Sequence, residues 1–316
     1  MRQIKPPPVV LAACCTNAAE LKRKFEALPS TVYGVRASAP GLDELMPMFL
    51  KPPVSVTGKS LLTVNKMGFD VLSNPQSQYN WLLKDFYSFI AIMPGIILDA
   101  ACGYGNIALD TLAIGNIVIA NDIAVEHLIE VRRRAIERNL ATTHLYLNNK
   151  PFPYGIDLPS DSLKGAMFHR GPHLFSPKEL EDGFALIHKW LQPGGKLFIV
   201  AMAPQHKSFA DWFLPIYEER WTNGDKWPGT NLDVKKALPD QAYNLPEHLH
   251  VMDERPLRYA LEKCGFKIKK VGFIDMKHFG KATENRDGHE AIGVIAVKKL
   301  WSESVNAGHA QERAKL

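Results

Sequence analysis

The chain has 316 residues, of which 46% are apolar, and a formal net charge of +5. These values suit a globular protein with a sizeable core, built as one large domain with an insertion or as two small domains. A membrane-spanning helix needs about 18 consecutive apolar residues, and no run of the sequence approaches that length. The charge is mild and the basic residues lie among acids, so neither a nucleic-acid partner nor a membrane is expected.

Residues 1–70 are predicted to form an N-terminal lead-in of short, mixed segments. Prolines at positions 6–8 and 52–53 interrupt any long element. Residues 42–50 are apolar enough to pack either on the core of the same chain or on a second subunit. If the segment packs on a second subunit, the protein is a homodimer, which is one expectation.

An amphipathic helix is predicted over residues 76–92, directly before the first strand of a sheet. Apolar side chains recur there at helical spacing. They are Tyr79, Leu82, Leu83, Phe86, Phe89 and Ile90.

The most informative segment is a short apolar strand that leads into Asp99 and then into a turn with Gly103 and Gly105. Glycine lets the backbone approach a ligand because it has no Cβ, and the following helix offers unpaired N–H groups at its start. A second strand, over residues 117–121, is followed by Asp122. An acid at this place can accept hydrogen bonds from a ribose diol. The pattern predicts a site for a cofactor that contains a nucleoside.

Two classes of cofactor fit this geometry. Gly103, Gly105 and Ala108 match a dinucleotide fingerprint, which is a weak signal alone and keeps an NAD(P)-binding oxidoreductase as an alternative. Asp99, four residues before the first glycine, suits a cofactor with an ammonium group and would repel a pyrophosphate. About 95 residues also precede the motif, whereas many dinucleotide-binding domains begin with it.

Residues 98–105 resemble the first motif of class I S-adenosylmethionine-dependent methyltransferases, with Ala101 in place of the first glycine. Residues 158–168, 191–200 and 257–266 are similar, in the same order, to three later motifs of that family. The resemblance covers roughly residues 75–300. It implies an α/β, Rossmann-like fold with a seven-stranded, mostly parallel sheet whose last strand is antiparallel. It also implies S-adenosyl-L-methionine as the cofactor.

On this basis we expect a methyltransferase domain over residues 71–300 and a polar tail over 301–316. Further strands are predicted over residues 144–147, 165–168, 196–203, 266–274 and 291–298. Ser176 and Glu179 form a capping box that begins a helix. In the helix after Asp122, three consecutive arginines are predicted to face solvent, opposite the apolar stripe. These are Arg132, Arg133 and Arg134.

Residues 205–252 do not belong to the minimal fold and are dense in aromatic residues and prolines. We expect either a cap over the cofactor cleft or a surface hairpin packed through its own side chains. The aromatic residues are Phe209, Trp212, Phe213, Tyr217, Trp221 and Trp227.

The family resemblance also assigns roles to residues of the site. Asp99 is implied to lie near the cofactor's amino group and Asp122 to bind the ribose hydroxyls. Ala101, Gly103 and Gly105 are implied to let the backbone approach the ligand, and Ile123 to lie against the adenine. The adenine amino group has either Asn148 or Asn149 as its expected partner. Tyr79 is expected to cover the methionine end, or else to be a core aromatic.

His169 is the candidate catalytic residue because it follows the fourth predicted strand, at the edge where open α/β sheets bind ligands. It is predicted to act as a general base or as an acceptor-binding residue, and an ordinary histidine pKa near 6.5 suits a base at neutral pH. His173, three residues later, suggests no metal site because no third ligand is evident.

The function expected is transfer of a methyl group to a small molecule with some apolar surface. A methyltransferase acting on protein side chains and a non-catalytic cofactor-binding module remain alternatives. The four cysteines include no CxxC pair, so neither zinc nor a redox centre is expected. A reducing, cytoplasmic location fits this cysteine usage best.

Overall fold

The computed structural model describes residues 15, 17–55, 60–70, 80–275 and 288–299. The strands are β1 Ser30–Thr31, β2 Gly34–Arg36, β3 Leu61–Leu62, β4 Phe69–Asp70, β5 Ile96–Ala100, β6 Ile117–Asn121, β7 Leu145–Asn148, β8 Leu163–His169, β9 Leu191–Met202, β10 Leu232–Asp233, β11 His248–Leu249, β12 Phe266–Ile274 and β13 Ala291–Lys298. The α-helices are α1 Ala18–Glu26, α2 Trp81–Ile92, α3 Asn106–Ala113, α4 Val125–Glu137, α5 Pro177–Trp190, α6 Ala210–Thr222, α7 Val234–Ala237 and α8 Glu254–Lys263.

The main sheet has nine strands in the order β1-β2-β7-β6-β5-β8-β9-β13-β12. Strands β5 to β9 pair in parallel, and β13 lies antiparallel between β9 and β12. The mostly parallel sheet with an antiparallel last strand is therefore confirmed. The expected count of seven strands is too low, because the lead-in adds β1 and β2 beside β7.

Gly34 explains why the lead-in reaches the sheet. Its φ is +116°, and a Cβ at this position would lie 2.5 Å from the carbonyl oxygen of Leu147. Val35 pairs with Leu147 in an antiparallel register. Only glycine permits this close approach, so the lead-in and the motif-bearing strands share one sheet.

Both faces of the central strands are buried, which is why these strands read as continuous apolar runs. Leu98 and Ile119 pack with α5 and α8 on one face. Ile97 packs with α2, and Val118 packs with α3 and α4, on the opposite face. None of the helices within the described ranges has the length and apolar character needed to span a bilayer.

Helix α2 begins where Asn80 caps it, since the Asn80 side chain accepts a hydrogen bond from the Leu83 N–H. The predicted helix over residues 76–92 thus corresponds to α2, whereas Tyr79 lies outside the described residues. At α5 both hydrogen bonds of the predicted capping box between Ser176 and Glu179 are present.

The arginines of α4 hold the lead-in and do not face solvent. Arg132 is 5% exposed, and it donates hydrogen bonds to the Ala37 carbonyl at 2.8 Å and the Asp43 carboxylate at 2.7 Å. Arg133 donates to the carbonyls of Met46 and Phe49, and Arg134 bonds Glu130. The prediction of a solvent-exposed arginine face is wrong because the lead-in covers it.

The apolar lead-in segment packs on the same chain. Leu42, Leu45 and Phe49 are buried in one cluster with residues of α4. The two alternatives for residues 42–50 therefore resolve in favour of the chain's own core.

The insertion over residues 205–252 contains α6, α7 and a small sheet of β10 and β11. Phe209, Phe213 and Tyr217 are buried in an apolar cluster that the insertion largely forms itself. Its end is bonded to the sheet edge, since the His250 N–H donates to the His173 carbonyl at 3.0 Å. The insertion thus has a core of its own and is also attached beside the ends of β8 and β9.

Candidate functional site

The glycine turn after β5 contains three residues in left-handed conformation. Ala101, Gly103 and Gly105 have φ values of 54°, 55° and 72°. A Cβ built on Gly103 meets nothing within 4 Å, whereas one on Gly105 would lie 2.6 Å from the Val131 side chain. Gly103 therefore leaves space for a ligand, while Gly105 serves the packing of the turn against α4.

Asp99 is a buried carboxyl group near the end of β5. It is 3% exposed, and burial together with the nearby charge of Asp122 raises its pKa to about 7, although a hydrogen bond from the Ala108 N–H acts in the opposite direction. Removing a carboxylate from water disfavours its charged form. A cation placed beside Asp99 would restore the charge, so the site suits a ligand with an ammonium group.

Asp122, directly after β6, connects the turn with the start of α4. Its Oδ1 accepts hydrogen bonds from the Ala124 N–H and from His127 Nδ1, both at 2.9 Å. Its Oδ2 accepts from the Gly103 N–H at 2.9 Å. A carboxylate has about four acceptor positions, so among the described residues one position of Oδ2 has no partner. Asp122 can therefore accept one ligand hydroxyl without losing a bond.

Three further residues of the predicted site lie along the same edge of the sheet. Ile123 is 56% exposed although it is apolar, which suits a residue that a flat apolar group would cover. The Asn148 amide already bonds the Lys150 N–H and the Tyr33 carbonyl. Asn149 is half-buried, donates to Glu26 and lines a cleft of about 230 Å³ beside the lead-in. Asn148 also lines this cleft but is only 3% exposed, so Asn149 is the more accessible of the two asparagines.

At the other end of the edge the structure brings together three histidines. His169 ends β8, His173 lies in the short 3₁₀ helix Pro172–Leu174, and His250 follows β11. Burial, with the charge of Arg170 and the neighbouring His173, lowers the pKa of His169 to about 3. Burial likewise lowers the pKa of His173 to about 3 and that of His250 to about 4.

All three imidazoles are therefore neutral near pH 7. The expectation of an ordinary pKa for His169 is not met, because burial disfavours the imidazolium. Such a group is a weak base, but it still offers one donor and one acceptor for hydrogen bonding. Within the described ranges, no group of three or more His, Cys, Asp or Glu side chains is arranged to hold a metal ion.

Several buried polar atoms near this end have no partner among the described residues. They are His173 Nδ1, His250 Nε2 and Gln205 Oε1. An unpaired buried polar atom costs about 1–3 kcal/mol, so such atoms mark places where a ligand or water is expected.

His127, which bonds Asp122 and is 1% exposed, is not among the site residues predicted from the sequence. The signal was present, because His127 lies in the apolar stripe of the predicted helix, next to Leu128. A polar side chain on a buried face needs a partner, and the nearest acid before the helix is Asp122.

Residues 97–195 match the family model described as "Methyltransferase domain". A curated relative, the S-adenosyl-L-methionine-dependent Diels–Alderase of Talaromyces variabilis, is 31% identical over 116 residues. The aligned region is 36% of this chain and 39% of that protein, so the match spans about two fifths of the relative's length.

A solved structure, that of an S-adenosylmethionine-dependent methyltransferase from Methanosarcina mazei, superposes with a TM-score of 0.51 at 19% identity. The superposition covers 68% of this chain and 97% of that one. At this identity the likeness concerns the fold. The predicted resemblance is confirmed: residues 97–195 match a methyltransferase domain, and the chain has the class I methyltransferase fold.

Proposed function

We propose that the protein is an S-adenosylmethionine-dependent methyltransferase that acts on a small molecule with apolar surface. One observation carries the proposal. A buried carboxyl that favours a cation, an open glycine and a carboxylate with one unused acceptor position lie along one edge of the methyltransferase domain. They are Asp99, Gly103 and Asp122.

The cofactor would lie along this edge in one orientation. Asp99 would hold the ammonium group, directly or through water, and the backbone of residues 101–105 would follow the methionyl and ribose portions. Asp122 Oδ2 would accept one ribose hydroxyl, and Ile123 would lie against the adenine. Asn149 remains the proposed partner of the adenine amino group, and Tyr79 the proposed cover of the methionine end.

A bound sulfonium supplies an activated methyl group and leaves as a neutral thioether. The protein's task is then mainly to align the acceptor with the methyl group and to exclude water. His169, at the end of β8, is proposed to bind the acceptor through a hydrogen bond of its neutral ring. The insertion over residues 205–252 is proposed to close over the acceptor, since its end is bonded beside the histidines.

The mixture of groups at this end of the edge supports the proposed class of acceptor. His173 and His250 each carry an unpaired ring nitrogen, and the neighbouring cluster of the insertion is apolar. A molecule with apolar surface and a few polar atoms would satisfy both. A protein side chain remains an alternative acceptor, whereas NAD(P) is disfavoured because Asp99 would lie near its pyrophosphate.

A second candidate function is a cyclisation in which the cofactor binds without being consumed. The observation that favours it is the 31% identity to the relative named a Diels–Alderase. The fold would then act as a binding scaffold, and the neutral histidines would orient a polyunsaturated substrate. A cytoplasmic location is proposed because Cys102 and Cys264 are free thiols.

Calorimetry with S-adenosylmethionine, S-adenosylhomocysteine, NAD and NADP tests the proposal. Micromolar-class binding of the first two ligands and no binding of NAD(P) is expected. Asp122→Ala should weaken binding by about 1.5–3 kcal/mol, as for hydrogen bonds to charged groups, or about 10- to 150-fold. The exposed Asp240→Ala serves as the control. Unchanged affinity in Asp122→Ala would remove this residue from the site, and NAD(P) binding alone would overturn the function.

Conversion of the cofactor separates the two candidate functions. With a panel of small apolar acceptors, a methyltransferase releases one S-adenosylhomocysteine for each methylated product. A cyclase leaves S-adenosylmethionine intact while its substrate changes without gaining mass. Substrate conversion with no loss of cofactor would favour the second candidate.

A further inference from the structure

The lead-in hairpin, residues 61–70 with strands β3 and β4, lies against the glycine turn. The Tyr104 hydroxyl donates a hydrogen bond to the Leu62 carbonyl at 2.7 Å. The Asn106 amide donates to the Asp70 carboxylate at 2.7 Å. Tyr104 and Asn106 flank Gly105, so the hairpin is attached to the turn that would approach the cofactor.

His127 joins this hairpin to Asp122. It lies 1% exposed in α4, with its ring edge against Tyr104 at a centroid distance of 4.7 Å. Its Nε2 accepts a hydrogen bond from the Val64 N–H at 3.2 Å, and its Nδ1 lies 2.9 Å from Asp122 Oδ1. The same ring therefore contacts the hairpin with one nitrogen and the carboxylate with the other.

These two bonds fix the tautomer of the ring. Since a backbone N–H can only donate, Nε2 must be unprotonated, and the proton of the neutral imidazole is on Nδ1. His127 consequently donates to Asp122 Oδ1. Together with the Ala124 N–H, this bond fills Oδ1, so the unused acceptor position of the carboxylate is on Oδ2.

We propose that His127 is a positioning residue for the cofactor's ribose: its Nδ1–H holds the Asp122 carboxylate in the orientation that accepts one ribose hydroxyl. The inference rests on the proposed function, because it needs a nucleoside ligand at Asp122. The lead-in hairpin contributes the Val64 N–H, which fixes the tautomer of the ring that makes this bond.

Two substitutions separate the bonds of the ring. His127→Asn places an amide N–H near the position of Nδ1 and keeps a donor for Asp122. His127→Gln places an amide oxygen near the position of Nε2 and keeps an acceptor for Val64. The exposed His144→Gln is the control. Melting temperatures of all variants report any general loss of stability.

The ligands are S-adenosylhomocysteine and its 2′-deoxy and 3′-deoxy forms, measured by calorimetry. In the wild-type protein, the deoxy form that binds more weakly identifies the hydroxyl held by Asp122. His127→Gln is expected to weaken S-adenosylhomocysteine binding about tenfold, the effect of losing a hydrogen bond to a charged group, and to leave that deoxy form unaffected. His127→Asn is expected to stay within about threefold of the wild type, since the donor to Asp122 is kept.

Imidazole ¹⁵N spectra of the wild-type protein give a second readout that needs no variant. They should show a protonated Nδ1 that shifts with S-adenosylhomocysteine and less with the same deoxy form. Equal weakening of all three ligands in His127→Gln, no weakening, or an equal loss in His127→Asn would overturn the inference. Failure of the wild-type protein to bind S-adenosylhomocysteine would instead overturn the proposed function.

Discussion

The proposed ligand-binding edge has a cofactor end at Asp99 and an acceptor end at His169, and these two ends respond to burial in opposite directions. At the cofactor end, burial raises the pKa of Asp99 to about 7. At the acceptor end, burial lowers the pKa of His169 to about 3. The physical cause is the same, because a low-dielectric environment disfavours whichever form is charged.

The two ends differ in whether a ligand can restore the charged form of the buried group. A cationic ligand next to Asp99 would favour the carboxylate again, so the cofactor end is expected to select by charge. His169 has the cationic Arg170 and a second histidine as neighbours, so its ring stays neutral. The acceptor end is therefore expected to select by shape and hydrogen bonding.

The largest expected effect is a loss of stability in Gly105→Ala, whereas Gly103→Ala is expected mainly to lose cofactor affinity. Gly105→Ala should lower the free energy of unfolding by about 2–5 kcal/mol, because the left-handed conformation is strained and the new methyl group overlaps Val131. Gly103→Ala should cost about 1–2 kcal/mol for strain alone. It should nevertheless weaken S-adenosylmethionine binding at least about tenfold, because its methyl group enters ligand space.

Gly115→Ala is the matched control for these two variants. Gly115 also has a positive φ, and a Cβ there would meet nothing within 4 Å, but it lies after α3, outside the site. Denaturant unfolding and calorimetry on the three variants give the comparison. If Gly103→Ala binds the cofactor as tightly as Gly115→Ala, Gly103 does not face the ligand.

The next effect concerns Asp99 and pH. Its pKa in the unliganded fold, about 7, exceeds its usual 3.8, so between these values the folded state holds a proton that the unfolded chain has lost. Stability conferred by this difference is present below pH 4 and is lost as pH rises through 7. Asp99→Asn should therefore raise the melting temperature at pH 8, with at most about 4 kcal/mol gained, and not at pH 4.

Ligand binding gives the complementary result. From pH 5.5 to 7.5 the affinity of the wild-type protein for S-adenosylmethionine should rise on the order of tenfold, because binding needs the Asp99 carboxylate. Asp99→Asn should bind weakly at every pH, without this slope. Calorimetry in buffers of different ionisation enthalpy would detect the released proton. A flat affinity profile in the wild-type protein would show that Asp99 does not meet the cofactor's cation.

The sequence predicts the position of the proposed site residues along the edge for a physical reason. Asp99, Asp122 and His169 each stand at the end of an apolar strand, and parallel strands bring such ends to one side of a sheet. The lead-in contacts could not be predicted in this way. Strands β3 and β4 have two residues each, which is too short for a periodic signal. The contacts of their hairpin with Tyr104, Asn106 and His127 join residues that are 36 to 63 positions apart.

The arginines of α4 illustrate the same limit. A cationic row opposite an apolar stripe fits either a solvated helix face or a surface that binds carbonyls and carboxylates of another segment. Arg132 binds another segment, because it donates hydrogen bonds to the Ala37 carbonyl and to Asp43. Whether the arginines face solvent or bind another segment depends on the position of the lead-in. The local sequence pattern of α4 does not contain that information.

The smallest expected effect tests the acceptor end. Because its pKa is about 3, His169 stays neutral between pH 6 and 9 and should contribute no inflection to the turnover profile there. His169→Leu, which removes a neutral hydrogen bond worth about 0.5–1.5 kcal/mol, should raise the acceptor's KM by about 2- to 12-fold. His169→Gln, which keeps a donor and an acceptor, should lie closer to the wild type. Cofactor affinity should be unchanged in both variants.

A general base would behave differently, since its removal typically costs about 10²–10⁴-fold in turnover. A loss of that size in His169→Gln, with an altered pH profile, would establish the base and show that bound ligands raise the pKa of this ring.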